Sequence, residues 1–259
     1  MSHAVCIVPV SPMRKEASHR SEMTSQLLFG EFVEILNEAK DFIQVKCLYD
    51  GYEGWCQQTQ FEKINESEII ETKEFAGSFQ NKILINNEPA YLPFGSPLYY
   101  LEMESFAWGK YIVNYLHAKQ NSSGNIPFTF DNLKEISTQF MNTAYLWGGK
   151  SVYGIDCSGF AQQVFKFFGI KLLRDAYLQA TQGETVNNIA DTIPGDLAFF
   201  KNEENRINHV GIVLNNGEII HASGKVRIDT ITDDGIVTNE GNRTHQLHSI
   251  KRTGVLIGQ

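Results

Sequence analysis

The segment Gly154-Ile155-Asp156-Cys157-Ser158-Gly159-Phe160 sets the organisation of the second half of this chain. The residues that follow Cys157 carry an apolar stripe at helical spacing, formed by Phe160, Val164, Phe167 and Phe168. Gly169 then provides a natural helix stop. The pattern therefore predicts a helix that begins at the cysteine and ends near the glycine.

A cysteine at a helix start has two chemical advantages. Helix N-termini carry partial positive charge and unpaired N–H groups, which stabilise a thiolate and can bind an oxyanion. Asp156 either caps this helix or belongs to the site. The alternative for Cys157 is a buried structural thiol, because free cysteines are among the most buried residues.

A base for this cysteine is expected among the histidines. His209 and His221 stand in two adjacent strand candidates, 209–214 and 218–222. A two-residue turn at 216–217 would place their side chains on opposite faces, whereas a three-residue turn at 215–217 would place them on the same face. The three-residue turn needs glycine in its last, left-handed position, and Gly217 stands there, so we predict that turn. The alternative is that both are ordinary strand-end histidines.

Further elements follow outward from this centre. A helical pattern covers 130–140, and a strand candidate covers 196–200, which together with the hairpin predict an α+β domain. In the first half, 32–36 and 42–46 are β-rich runs and 51–55 is a turn-rich aromatic segment, which fits a small barrel. The stretch 106–113 is another strand candidate, and the polar segment 121–125 is the best linker.

Composition excludes several classes of protein. The chain has 259 residues and a formal net charge of −8, which argues against a nucleic-acid partner. No apolar stretch approaches the roughly 18 to 20 residues that span a bilayer, so no membrane partner is expected. The start lacks a secretory pattern, so we expect a cytoplasmic protein, or a secreted one whose leader is not part of this sequence.

Four cysteines are present: Cys6, Cys47, Cys56 and Cys157. They show no CxxC spacing, so a zinc site is not expected, and no other metal site is predicted. Cys47 and Cys56 could in principle pair, although reduced thiols are favoured in a cytoplasmic protein.

Five motifs in this order resemble the NlpC-type cell-wall cysteine peptidases. They are Tyr145-Leu146-Trp147-Gly148-Gly149, Gly154-Ile155-Asp156-Cys157-Ser158-Gly159, Pro194-Gly195-Asp196-Leu197-Ala198-Phe199-Phe200, His209-Val210-Gly211-Ile212 and Ile220-His221-Ala222-Ser223. The resemblance covers 126–259 and implies a papain-like α+β catalytic domain without a cofactor. Residues 1–64 and 65–125 resemble two small SH3-like β-barrels.

This domain order is similar to the murein-peptide-recycling branch of the family. The branch implies a γ-D-glutamyl-L-diamino acid endopeptidase whose partner is a murein peptide, L-Ala-γ-D-Glu-diamino acid, with a free N-terminal amine. Its preferred diamino acid and the oligomeric state stay open. Two alternatives remain: a secreted hydrolase of intact peptidoglycan, and a catalytically dead protein that binds wall peptides.

The resemblance also implies a role for each matching residue. Cys157 is the expected nucleophile, His209 the base, His221 the orienting third member, and Tyr145 an oxyanion donor beside the Cys157 N–H. Substrate contacts are expected from Trp147, Asp156, Ser158, Asp175, Tyr52 and Glu22.

The free amine of the substrate is expected to meet Asp175, with Tyr52 and Glu22 as further contacts. Burying an ammonium requires paired carboxylates, which would select peptides with a free N-terminus. Each residue has an alternative interpretation. Asp175 could form a surface salt bridge, Tyr52 could be a barrel core aromatic, and Glu22 could be a solvated charge.

Overall fold

The computed structural model describes residues 2–78, 81–116, 122–123, 126–215 and 217–254. The chain divides into two compact units. The first unit comprises Met1–Asn125 together with Trp147–Tyr153, and the second comprises Ile126–Leu146 together with Gly154–Gln259. Residues 147–149 of the motif Tyr145-Leu146-Trp147-Gly148-Gly149 therefore belong to the first unit. The predicted domain limits 1–64, 65–125 and 126–259 stay predictions.

The strands of the first unit are β1 (Ser2–Cys6), β2 (Val10–Arg14), β3 (Met23–Leu28), β4 (Phe32–Ala39), β5 (Phe42–Cys47), β6 (Glu53–Gln57), β7 (Phe61–Ile64), β8 (Phe75–Ala76), β9 (Asn81–Ile85), β10 (Glu88–Leu92), β11 (Phe106–Trp108), β12 (Tyr111–Tyr115), β13 (Ser122–Ser123) and β14 (Lys150–Ser151). The sheet orders are β3-β2-β6-β5-β4-β1-β7, β10-β9-β12-β11 and β13-β8. The two predicted strands at 32–36 and 42–46 are confirmed as β4 and β5.

The two larger sheets of the first unit share one aromatic core. Phe32 of β4 and Phe29, in the turn before it, contact the Trp108 ring at centroid distances of 5.9 and 5.7 Å. The single strand expected at 106–113 is wrong, because Gly109 adopts a φ of +53° and turns the chain between β11 and β12. The linker predicted at 121–125 lies outside the described residues except for β13. The SH3-like type of the second sheet stays a prediction.

A buried ion cluster anchors the 147–153 segment in the first unit. The Lys150 ammonium lies 3.4 Å from a Glu31 carboxylate oxygen and 4.0 Å from Asp50, with all three side chains almost fully buried. The Lys150 N–H also donates to Gln26 Oε1 at 2.8 Å. Removing one partner would leave the other charges buried without a counter-charge, which is strongly unfavourable. The cluster therefore holds the 147–153 segment firmly in the first unit.

The second unit contains α1 (Phe130–Thr138), β15 (Gly154–Ile155), α2 (Cys157–Lys166), α3 (Ala176–Gln179), β16 (Glu184–Val186), β17 (Leu197–Lys201), β18 (Ile207–Val213), β19 (Glu218–Ser223), β20 (Lys225–Thr232), β21 (Gly235–Val237) and β22 (Arg243–Arg252). Its antiparallel sheet has the order β16-β22-β17-β18-β19-β20-β21. Because β22 also pairs with β21, strands β17 to β22 close into a barrel.

The predicted helix at Cys157 is confirmed as α2, and Gly169 beyond its end has a φ of +71°. Phe160, Val164 and Phe167 of its apolar stripe are buried and Phe168 is half-buried, and the helix packs against β18 and β19. The predicted helix at 130–140 is confirmed as α1. No helix in the described part of the chain is long and apolar enough to cross a membrane.

The β18–β19 hairpin has the register that the three-residue turn requires. Gly211 pairs with His221, and Gly217 adopts a φ of +74°. Asn216, the middle residue of the turn, lies outside the described residues. A side chain at position 211 would collide with Ile219 and touch the His221 Cβ, so glycine here leaves room for the imidazole.

We expect Lys150→Ala to lower the free energy of unfolding of the first unit by about 3–5 kcal/mol, because it leaves Glu31 buried without its cation. Urea unfolding followed by tryptophan fluorescence measures this, since all three tryptophans lie in the first unit. The control is Lys63→Ala, whose pair with Glu38 is exposed and is expected to contribute at most about 1 kcal/mol. Equal effects of the two variants would contradict a buried anchor.

Candidate active site

Cys157 is the first residue of α2, and Asp156 caps the helix by accepting the Gly159 N–H at 2.7 Å. The cysteine is buried, and its sulfur faces the backbone N–H of Val210. Val210 directly follows His209 on β18. The helix start and the histidine strand therefore meet at the thiol.

The thiol of Cys157 is protonated at rest. Burial, followed by the Asp156 carboxylate, raises its pKa to about 12, whereas the N–H groups of Val210 and Ser158 and the Arg174 guanidinium act in the opposite direction. The helix terminus thus favours the thiolate as expected, but burial outweighs it. Nucleophilic attack by this sulfur would therefore require proton transfer to a base.

The two predicted histidines lie together on one face of the sheet. His209 Nε2 and His221 Nδ1 are 2.8 Å apart, and both rings are buried. Burial is the main reason that the pKa of each imidazole lies below its ordinary value. Both rings are therefore neutral near pH 7, which is the form a proton acceptor needs.

Asp229 on β20 extends this pair into a chain of three side chains. Its Oδ2 lies 3.0 Å from His221 Nε2 and accepts a hydrogen bond from Arg227 Nε at 2.8 Å. Because side chains alternate along a strand, these three residues lie on the face that carries the barrel core residues Val213, Ile219 and Ile231.

The carboxylate fixes the protons along the chain. A carboxylate only accepts, so His221 must donate from Nε2 and accept at Nδ1. His209 then donates from Nε2, which leaves its Nδ1 lone pair available for a proton. Sequence reasoning missed Asp229, although its alternation with Ile231 on β20 was an available signal for an inward-facing charge.

A buried ion pair holds the start of α2. Arg174 donates to both Asp156 carboxylate oxygens, at 3.0 and 2.6 Å, and to Ser158 Oγ at 2.9 Å. Asp156 and Ser158, both expected to hold substrate, therefore have partners within the protein; their contact with substrate stays a prediction. Sequence reasoning also missed the role of Arg174, because this pairing joins distant parts of the chain.

Tyr145 lies close to Cys157 within the second unit. Its N–H donates to the Gly224 carbonyl at 2.9 Å. Burial, followed by the charges of Cys157 and Asp156, raises the pKa of its phenol. The hydroxyl therefore keeps its proton and can donate a hydrogen bond to a developing oxyanion.

Asp175 directly precedes α3 and is half-buried. The exposed Tyr177 forms a hydrogen bond with its carboxylate, and the pKa of Tyr177 is raised, chiefly by burial and then by this charge. Asp175 is therefore partly open to solvent beside a phenol. The predicted contact of Asp175 with a substrate amine stays a prediction.

The remaining predicted residues belong to the first unit. Trp147 is 60% exposed, and its indole N–H donates to Glu22 Oε1 at 2.8 Å. Tyr52 is half-buried and packs against the core of the first sheet, as its alternative interpretation proposed. The contacts of these three residues with substrate stay predictions.

A third histidine, which sequence reasoning did not place in the site, stands beside the pair. His245 of β22 stacks on His209 with ring centroids 4.1 Å apart. Within the described ranges, no group of three or more His, Cys, Asp and Glu side chains is arranged to hold a metal ion.

Comparison with known proteins finds two matching families. Residues 142–240 match the NlpC/P60 family, and residues 13–61 match the bacterial dipeptidyl-peptidase Sh3 domain. The chain thus contains an NlpC/P60 domain preceded by a bacterial SH3 domain, which confirms the resemblance predicted from the five motifs.

Individual relatives are similar to this chain along most of their length. The γ-D-glutamyl-L-lysine dipeptidyl-peptidase of Bacillus subtilis is 29% identical over 81% of this chain and 76% of its own. Dipeptidyl-peptidase 6 of Lysinibacillus sphaericus is 26% identical over 85% of this chain and 88% of its own. The crystal structure of an NlpC/P60 family protein from Bacillus cereus has the same fold, with a TM-score of 0.79, 18% identity, and coverage of 97% of this chain and 99% of the other.

We expect Asp229→Ala to lower kcat by about a hundredfold with little change in KM, because His221 and then His209 lose the acceptor that fixes their protons and ring planes. Asp229→Asn should lose less, since its amide oxygen still accepts. Steady-state kinetics on a murein tripeptide measure both effects, with the exposed Asp233→Ala as control. A wild-type kcat in Asp229→Ala would contradict this role.

Proposed function

We propose that this protein is a cysteine endopeptidase that hydrolyses the γ-D-glutamyl-L-diamino acid bond of short murein peptides with a free N-terminal L-Ala. The observation that carries the proposal is the chain His209–His221–Asp229, whose first member directly precedes Val210, the residue whose N–H faces the Cys157 sulfur. A buried nucleophile, a neutral base and an orienting acceptor are the parts that acyl transfer needs.

The reaction follows from the protonation states in the site. His209 Nδ1 takes the thiol proton as the Cys157 sulfur attacks the γ-glutamyl carbonyl carbon. The Cys157 N–H and the Tyr145 hydroxyl donate to the resulting oxyanion. The imidazolium then protonates the departing amine, which leaves a thioester to the L-Ala-γ-D-Glu fragment.

Hydrolysis of the thioester reverses these proton movements. His209 accepts a proton from water, whose oxygen attacks the thioester carbonyl, and then returns a proton to the leaving sulfur. The products are a dipeptide with a free γ-carboxylate and the diamino acid fragment with a free amine. The base is neutral at the start of both half-reactions, which its lowered pKa favours.

The choice of substrate rests on the relatives and on one carboxylate. Two of the relatives at 25–29% identity carry the name γ-D-glutamyl-L-lysine dipeptidyl-peptidase. A peptidase that releases an N-terminal dipeptide can select its substrate by binding the free amine. The half-buried Asp175 carboxylate in the second unit is the group that we assign to this ammonium. An N-acylated strand would leave that carboxylate without its cation, which disfavours intact wall as a substrate.

Cys157→Ala is expected to abolish cleavage of L-Ala-γ-D-Glu-L-Lys, because no other group can form the thioester. Mass spectrometry of the products measures cleavage and identifies the bond that breaks. Cys56→Ala is the matched control, since Cys56 is also a buried thiol but lies in the first unit. Turnover by Cys157→Ala would refute the assignment of Cys157 as the nucleophile. Faster release of product by the wild type from whole sacculi than from the tripeptide would favour a hydrolase of intact peptidoglycan.

Asp175→Ala should raise KM for the free tripeptide while leaving the slow cleavage of its N-acetyl form unchanged, because only the free amine carries the charge that the carboxylate binds. The ratio of kcat/KM for the two peptides measures this selectivity, with the exposed Asp131→Ala of α1 as control. An equal loss on both peptides would count against an amine site.

A further inference from the structure

His245 contacts the proposed base without any part in the proton transfers described above. It lies on β22, and its ring is stacked on the His209 ring at 4.1 Å with an angle of 25° between the planes. His209 itself lies on β18, which is separated from β22 by β17 in the barrel. A side chain from a distant strand thus covers one face of the base.

The stacked pair is held from several sides. Phe200 of β17 has its ring centroid 5.8 Å from His209 and 6.0 Å from His245. The His221 ring stands almost perpendicular to His245, at 5.7 Å. These contacts leave the His209 ring little freedom to rotate out of the plane in which it bonds His221.

The backbone behind His245 is also constrained. Ile236 pairs with His245 across β21 and β22, and the preceding Gly235 has a φ of +135°. A side chain at position 235 would collide with the His245 carbonyl oxygen. The close approach of these two strands therefore depends on glycine, and it sets the position from which the His245 ring extends.

We propose that His245 is a positioning residue, whose neutral ring stacks on His209 and holds the base in the plane required for proton transfer from Cys157. The inference rests on the proposed function, because it concerns the same base. A flat ring at position 245 should therefore keep the stacking contact with His209, and a small side chain should lose it.

The stack also imposes a charge requirement, since two imidazolium rings at this distance repel each other. The titratable and charged groups that face His245 are His209, His221, Arg227 and Asp229. Burial, followed by His221 and Arg227, lowers the pKa of His245 to about 4, and Asp229 opposes this. His245 is therefore neutral at neutral pH and gains its charge only as the pH falls towards 4. A phenyl ring in its place would have no charge to gain.

The test compares His245→Ala with His245→Phe, and uses His248→Ala, an exposed histidine on the same strand, as control. We expect His245→Ala to lower kcat on the murein tripeptide by about ten- to a hundredfold with KM unchanged, since the base loses its orientation. His245→Phe should keep most of kcat and lose activity less steeply than the wild type below pH 5. Circular dichroism checks that each variant is folded.

A second readout needs no substrate. The rate at which iodoacetamide alkylates Cys157 depends on proton removal by His209, so it should fall in His245→Ala and not in His245→Phe. If the wild type does not cleave the tripeptide, the proposed function is wrong. The rate of Cys157 alkylation would still test the role of the His245–His209 stacking. A kcat and an alkylation rate in His245→Ala equal to those of the wild type would overturn the proposal. An equal loss of kcat in His245→Phe and His245→Ala would also overturn it, as would a change in KM alone.

Discussion

The pairing of Gly211 with His221 across the β18–β19 hairpin is the constraint on which the site depends. A shift of one residue would move every side chain of β19 to the opposite face. His221 would then leave the barrel interior, and His209 and Asp229 would lose the ring that joins them. The glycine at position 217 and the missing side chain at position 211 both serve this register, the first by its positive φ and the second by the space it leaves.

Burying the three hydrogen-bonded side chains of the second unit is unfavourable in free energy, and their surroundings offset that cost. His209, His221 and Asp229 share a face with apolar core residues, where an unsatisfied polar group would be strongly unfavourable. Each nevertheless has a hydrogen-bond partner, and Arg227 supplies a cation for the carboxylate. The Asp156–Arg174 pair fulfils the same requirement at the start of α2. The geometry of the candidate site is thus maintained by hydrogen-bonded polar groups in an otherwise apolar interior.

The sequence predicted the local elements of the site and missed its long-range contacts. Helix α2, the hairpin register and the shared face of the two histidines follow from periodicity and turn chemistry, which act over a few residues. Closure of the barrel joins β22 to β21 and β17, and neither periodicity nor composition encodes that pairing. His245 reaches the site only through such pairing, and Arg174 reaches Asp156 from a position 18 residues further along the chain. The 147–153 segment is a similar case, since its burial in the first unit depends on Glu31, more than a hundred positions earlier.

The protonated thiol at the start of α2 has a consequence for the durability of the protein. Peroxide and other oxidants attack cysteine as the thiolate, and the resulting sulfinic and sulfonic acids are dead ends for a nucleophile. A sulfur whose pKa is about 12 presents almost no thiolate between turnovers. Burial therefore makes Cys157 depend on a base, and it also shields the resting sulfur from oxidative damage.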